Sequence, residues 1–347
     1  MRSELVLITG ATGLIGFRTL VFALQAGYRV RAAIRSTSKQ PNVEAALSRA
    51  GVALEADDQL SFVAVPDLTA AGAYEEAIRG ATYVLHIASP SGETPCKTPD
   101  DFRDIILGPA VKGTLAMLEA AAGSGAGSVK RVVITSSIAA FVPFENLLGG
   151  VATDRVFGPD DRLPMPEAPP GDVFTAYCQS KAMALNEAEA WIARRKPPFS
   201  VVHVHPSYTI GRNDLATSTE GYQTTTNHLV MDIVLGGAEL NILLASASVH
   251  LDDVARIHIG AMTIDLKGSL AGKVENDTTW EDAKDIAAKN FPDAVAKGVL
   301  PNTGSQPTLP LMIDSRETEK AFGFKHLSYE EEVKSVIQHY LELASKA

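Results

Sequence analysis

From its N-terminus the chain alternates short apolar runs, rich in β-branched residues, with longer stretches in which apolar residues recur every three or four positions. Leu5-Val6-Leu7-Ile8 reads as a strand. Leu14, Phe17, Val21 and Leu24 then share one helical face, and Gly27 closes that helix. The same reasoning predicts strands at 30–34, 62–65, 83–87, 132–135 and 201–205, and long helices at 102–122 and 175–195. The Gly/Ser/Ala stretch 123–128 is a flexible connector, and Pro197-Pro198 stops the second long helix. This rhythm of strand, helix and strand implies right-handed crossovers, hence an α/β fold: a doubly wound parallel sheet with helices on both faces.

After residue 206 the rhythm changes. Irregular stretches lengthen, with helices expected at 253–266, 279–290 and 329–344, the last opened by the capping-box spacing Ser328-Tyr329-Glu330-Glu331. The reading is a first domain over 1–206 with an excursion at 141–172, proline-rich at 163–170. Residues 207–347 are then mainly a smaller lobe, with some segments returning to the sheet.

Hydrophobic residues make up 46 % and charged residues 21 % of 347, an ordinary balance for a chain with a buried core. The formal net charge is -10 without a Lys/Arg cluster, which argues against nucleic-acid or anionic-membrane partners. Cys96 and Cys178 match neither a disulfide framework nor a zinc spacing, and read as free thiols of a reducing compartment. The four apolar residues at 5–8 are too few for a signal-peptide core, and no run approaches the ~18 residues needed to span a bilayer. A cytoplasmic protein is expected, as a monomer or homodimer.

The first candidate chemistry lies in Thr9-Gly10-Ala11-Thr12-Gly13-Leu14-Ile15-Gly16, between a predicted strand and helix. Gly10 permits a tight turn, Gly13 lets a pyrophosphate approach the backbone, and Gly16 lets helix and strand pack closely. The helix start, at Leu14 and Ile15, offers N–H groups and positive dipole to phosphates. This is a dinucleotide turn, and it makes the sheet Rossmann-type. At the end of the second strand an NAD-specific site would carry Asp or Glu. Here Ile34 is followed by Arg35, with Arg31 and Lys39 nearby, suited to a 2′-phosphate. The cofactor expected is NADPH/NADP+.

Tyr177 and Lys181 lie four residues apart on a predicted helix and so share a face. A lysine ammonium beside a phenol favours the phenolate, which would lower the tyrosine pKa and make it a proton donor to a carbonyl oxygen. Thr135-Ser136-Ser137 ends the fifth strand, where ligands gather in doubly wound sheets.

Taken together, these stretches resemble the extended short-chain dehydrogenase/reductase family, in particular its dihydroflavonol reductase-like group of aldehyde, methylglyoxal and ketone reductases. Further matches are His86-Ile87-Ala88-Ser89-Pro90, Pro109–Thr114, His205-Pro206-Ser207-Tyr208 and Val249–Ala255. The resemblance implies Tyr177 as acid, Lys181 on the nicotinamide ribose and Ser137, the later serine of its pair, polarising the carbonyl. It places Asp67 and Leu68 beside the adenine, Ala88 and Ser89 along the cofactor channel, and Pro206 and Ser207 near the nicotinamide. Ser89, Ser137, Tyr208 and Thr225 are candidate substrate contacts, and a small-molecule carbonyl compound is the expected partner. Val173-Phe174-Thr175-Ala176 lacks the Asn-Trp that marks cinnamoyl-CoA reductases, and residues 141–172 match the group poorly.

His203 and His205 share a strand face without a third ligand at suitable spacing, so no metal is expected. Asp252 and Asp253 read as caps of the following helix, and Trp191 and Trp280 as packing residues. The function expected is NADPH-dependent reduction of a ketone or aldehyde to an alcohol. The alternatives are an NAD-retaining sugar-nucleotide epimerase or dehydratase and a non-catalytic NADP-binding sensor.

Overall fold

The computed structural model describes residues 2–89, 96–237, 242–264 and 278–346, with 268–271 described by backbone alone. The chain divides into two compact units. The first comprises Met1–Phe141, Pro159–His205 and Ala255–Leu270, and the second Val142–Gly158, Pro206–Val254 and Ala271–Ala347.

The first unit is built on a seven-stranded sheet whose strands, in chain order, are Leu5–Thr9, Arg29–Ile34, Leu60–Ala64, Tyr83–His86, Arg131–Thr135, Ser200–His205 and Gly268–Ala271. Their spatial order is seventh, sixth, fifth, fourth, first, second, third. The first six pair in parallel, Thr9 lying beside His86 and Ile134 beside His203. The order reverses between the first and fourth strands, which opens a crevice at their carboxyl ends. Between helices and sheet, Leu7, Val84, Val132, Met117, Leu118 and Trp191 form one buried cluster.

The first helix, Leu14–Gln25, and the strand spans agree with the apolar pattern to within a residue or two. The long helix differs. It starts at Pro99, where Thr98 and Asp101 form a capping box, runs as a π-helix over Phe102–Leu107 and becomes α-helical over Gly108–Ala122. Pro109 has no N–H to close an α-helical bond, and the preceding Gly108 N–H bonds the carbonyl of Arg103, five residues back. This run also corrects the expectation about apolar length: Pro99–Ala122 carries an 18-residue window of mean hydropathy 1.4, long and apolar enough to cross a membrane. Half of that window is buried, and Met117, Leu118 and Ala121 belong to the core of the first unit. Its polar interruptions (Lys112 among them) hid it from a count of unbroken apolar residues.

The helix Val173–Arg195 begins two residues before its predicted start, because the Asp172 carboxylate accepts the N–H groups of Phe174 and Thr175 at 2.8 and 3.0 Å. Alongside it runs part of the proline-rich stretch. Arg162 pairs with Glu189 at 2.5 Å, Asn186 donates to the Leu163 carbonyl and Gln179 to that of Ala168.

The second unit contains three short parallel pairs: Tyr208–Ile210 with Ser248–His250, Leu244–Ala245 with Thr308–Leu309, and Val156–Phe157 with Met312–Ile313. Helices His228–Leu235, Asp282–Asn290 and Tyr329–Ala344 contribute to a core centred on Trp280 and Tyr329. The helix expected at 253 starts instead at Leu251 and ends at Ala261, so Asp252 and Asp253 lie within its first turn. Asp253 is fully buried and accepts the Leu327 N–H at 2.6 Å. Position 266, the expected end of that helix, lies outside the described residues.

Candidate active site

The first strand ends at Thr9 and the chain turns at Gly10, whose φ of 79° disfavours any side chain. A Cβ on Gly10 would lie 2.9 Å from the Ala88 nitrogen, and one on Gly16 would lie 2.0 Å from the Gly10 carbonyl oxygen. Gly13 is different: a Cβ there would meet no protein atom closer than 3.5 Å. The turn itself does not require that glycine, whereas a group seated against the backbone would. No side chain caps the helix Leu14–Gln25 and no acidic residue occupies its first turn. Its leading N–H groups and dipole are therefore left for an external anion, and the cradle fits a dinucleotide pyrophosphate. Thr12 is exposed at the tip of the turn, and Leu14 and Ile15 are half-buried.

Thr9 sits beneath this turn. Its hydroxyl accepts the N–H groups of Ile87 and Ala88, both at 3.0 Å, and lies 3.1 Å from His86 Nδ1. With two donors already aimed at the oxygen, the hydroxyl proton goes to Nδ1, so His86 carries its own proton on Nε2. Burial pushes the His86 pKa down to about 4, and the ring is neutral.

At the other edge, the second strand ends at Ile34, and Arg35 and Lys39 are both exposed. Ser36 shapes the turn between them, its hydroxyl accepting the Ser38 N–H. Arg31 points elsewhere: it donates to the carbonyls of Ala77 and Arg79 at 2.8 and 2.7 Å. Asp67 is exposed and accepts both the N–H and the hydroxyl of Thr69, bonds that hold its pKa below the usual carboxylate value. Leu68 packs on the long helix so closely that a Cβ on Gly113 would fall 2.2 Å from its Cδ1.

The fifth strand delivers Ser137, which is buried, starts a short turn and accepts the Ala139 N–H at 3.2 Å. Its hydroxyl also faces the Tyr177 phenol and works to lower that group's pKa. The neighbouring hydroxyl of Thr135 is bound to His258 Nε2 at 2.7 Å, and the Ser136 N–H joins the sixth strand at Val204. Lys181 stands one helical turn beyond Tyr177. It is only 7 % exposed, and its Nζ donates to Ser89 Oγ at 3.0 Å and lies 5.5 Å from the centre of the Tyr177 ring. The structure thus brings Ser89, Ser137, Tyr177 and Lys181 into one cluster.

The electrostatics correct one expectation. Burial raises the Tyr177 pKa above 10.0, and the Ser137 hydroxyl opposes that without reversing it. The Lys181 bond goes to Ser89 and its charge lies over the tyrosine ring, so it does not pull the phenol down. Burial instead lowers Lys181 itself to about 8.

Residues 6–269 match the model of the NAD dependent epimerase/dehydratase family. The chain belongs to the extended short-chain dehydrogenase/reductase family. Among its relatives the ketoreductase CTB6 of Cercospora nicotianae is 40% identical over 100% of this chain and 97% of its own length. Aldehyde reductase 2 of Sporidiobolus salmonicolor is 30% identical over 75% of this chain and 73% of its own length. The fold is shared with yeast methylglyoxal/isovaleraldehyde reductase Gre2, solved with NADPH, at a TM-score of 0.81 and 24% identity over 99% of this chain and 100% of that one. The ketoreductase and aldehyde reductase names among these relatives are of the kind the sequence resemblance implied.

Beside this cluster the sheet carries histidines whose surroundings the sequence did not disclose. His203 and His205 stack with ring centres 6.2 Å apart, and both are held neutral by burial, His203 at about 4. His205 Nδ1 lies 3.2 Å from the Ser137 carbonyl, beneath the turn that presents the serine hydroxyl. The i, i+2 spacing put both on one face; nothing in it indicated that the face lies under Lys181.

The remaining candidates belong to the second unit. Pro206 and Ser207 are buried directly after the sixth strand. The Tyr208 ring packs edge-on against Trp280 at 5.8 Å, and the Thr225 hydroxyl donates to the Tyr222 carbonyl at 3.1 Å.

Proposed function

We propose that this protein reduces a ketone or aldehyde to an alcohol with NADPH, using Tyr177 as the proton donor. The observation that carries this reading is the placement of the Ser137 hydroxyl where it lowers the Tyr177 pKa, with Lys181 beside the tyrosine ring. Two hydroxyls placed in this way can both turn toward one carbonyl oxygen, Ser137 donating a hydrogen bond and Tyr177 transferring its proton as negative charge develops. Tyr177 is 36 % exposed, as a group that must reach a substrate has to be.

Bound at the glycine turn, NADPH supplies the hydride to the carbonyl carbon. Gly10, Thr12, Gly13, Leu14, Ile15 and Gly16 form the pyrophosphate cradle, and Arg35 with Lys39 meets the 2′-phosphate. Asp67 and Leu68 border the adenine. Lys181, held by Ser89, directs one N–H donor to the nicotinamide ribose. The ketoreductase and aldehyde reductase names of the relatives, and the NADPH in the yeast neighbour, support this assignment.

The test is NADPH oxidation over a panel of ketones and aldehydes with wild type and Tyr177→Phe. A general acid is worth ~10² to 10⁴ in rate. The variant is expected to lose activity by that factor while binding NADPH as the wild type does. Near-wild-type turnover in Tyr177→Phe would remove the tyrosine from its role.

A second reading has its own support, since a relative from Alternaria alternata, 33% identical over 98% of this chain, is named an NAD-dependent epimerase/dehydratase. It predicts NAD that copurifies with the protein and no net consumption of NADPH in the same assay.

A further inference from the structure

Beside Lys181 the first unit holds a small, partly open polar cavity of about 20 Å³, room for one water molecule. Its walls come from the fourth, fifth and sixth strands and from the two long helices, and include His86, Thr114, Ser136, Lys181 and His203. His203 is 3 % exposed, and neither of its ring nitrogens has a hydrogen-bond partner. A neutral imidazole buried in this way leaves one donor and one acceptor unsatisfied, which destabilises the fold unless a partner arrives. Lys181 has three N–H donors, of which one goes to Ser89.

We propose that the cavity is a water site and that His203 holds the water against Lys181. His203 is then a positioning residue: through the water it fixes the ammonium group and keeps it partly solvated in a buried place. The inference rests on the role of Lys181 given above. The titratable groups around the pair are few. Tyr177 faces Lys181 from its own helix, and His86 and His205 face it from the sheet. His203 has His205 beside it, with the Arg162–Glu189 pair on the helix side.

Two experiments test this. A high-resolution crystal structure of the NADP+ complex should show one ordered water within hydrogen-bond distance of His203 and Lys181 Nζ; a dry cavity overturns the proposal whatever the variants do. In His203→Leu the water is displaced and the charged lysine loses solvation. The alkaline limb of the kcat/KM profile should then move about one unit to lower pH, a tenfold change in the proton equilibrium. His203→Gln, which can still bind water, should restore most of it. An unchanged limb in a folded His203→Leu protein overturns the positioning role. Lys181→Met separates the two readings: retained activity there refutes the lysine assignment itself, whereas lost activity with an unchanged His203→Leu profile refutes only the water site.

Discussion

Lys181 is the residue at which burial and chemistry pull in opposite directions. Burial lowers its pKa from 10.5 to about 8, so the ammonium form is present at neutral pH and is lost as pH rises through 8. Activity that needs the charge should fall on an alkaline limb near that value, which a kcat/KM profile measures. The stability sign is the reverse. The unfolded chain binds this proton more tightly than the folded one between pH 8 and 10.5, so stability gains from loss of the charge as pH rises across that window. At pH 7 the buried charge is a cost, and Lys181→Met, though inactive, should melt a few degrees above wild type without cofactor. Equal or lower melting would show that the ammonium is well solvated. At Arg35 the proposal is charge recognition at an exposed site. Arg35→Asp should weaken NADPH at least tenfold more than NADH, measured as Kd or KM for the two cofactors. Equal losses would show that Arg35 does not meet the 2′-phosphate.

Among the elements, the strand–turn–helix at the N-terminus is the one in which backbone geometry and function coincide. A methyl group on Gly16 would sit 2.0 Å from the Gly10 carbonyl, and backbone on both sides must move to admit it. Gly16→Ala is expected to cost ~1–3 kcal/mol through this overpacking, and to weaken NADPH binding because the displaced helix carries the phosphate donors. Thermal melting and titration with NADPH check the two effects separately. Wild-type values for both would mean that the turn relaxes freely. The helix Val173–Arg195 shows a different division. Its Tyr177–Lys181 pair was readable from a four-residue spacing, since that spacing fixes a shared face. The Ser137 partner of the tyrosine comes from a strand end forty residues earlier and depended on how the sheet is ordered.

At the scale of the whole molecule, buried histidines contribute to the response to acid. His86, His203 and His205 are buried, and all three are held neutral, the first two at about 4. Below pH 6.5 the unfolded chain takes up protons that the folded chain refuses, so stability falls on acidification from 6.5 toward 4. Three such groups give a slope of up to about 4 kcal/mol per pH unit at its steepest. Urea unfolding at a series of pH values measures it, and a flat midpoint between pH 6.5 and 4.5 would mean that the rings are accessible to protons. The division into two units also belongs to this scale. Segment 255–270 belongs with the first unit, where Arg131 donates to the carbonyls of Ala261 (2.9 Å) and Ile264. A contact between residues 130 positions apart in the chain leaves no local pattern.

The sequence by itself determined the parallel sheet, the strand spans, the glycine turn and the tyrosine–lysine face. Each of these depends on periodicity or on the conformational demands of single residues, which act within a few positions of the chain. Only the tertiary structure decided the state of the site. It directed Lys181 to Ser89 and the tyrosine ring, spent Arg31 and Thr9 on backbone groups, and drew Asp253 into a buried contact with Leu327. It also brought His203 and Lys181 to the wall of one cavity. Desolvation and hydrogen-bond competition depend on what arrives from distant parts of the chain, and so the charge of a buried group cannot be read from its neighbours in sequence.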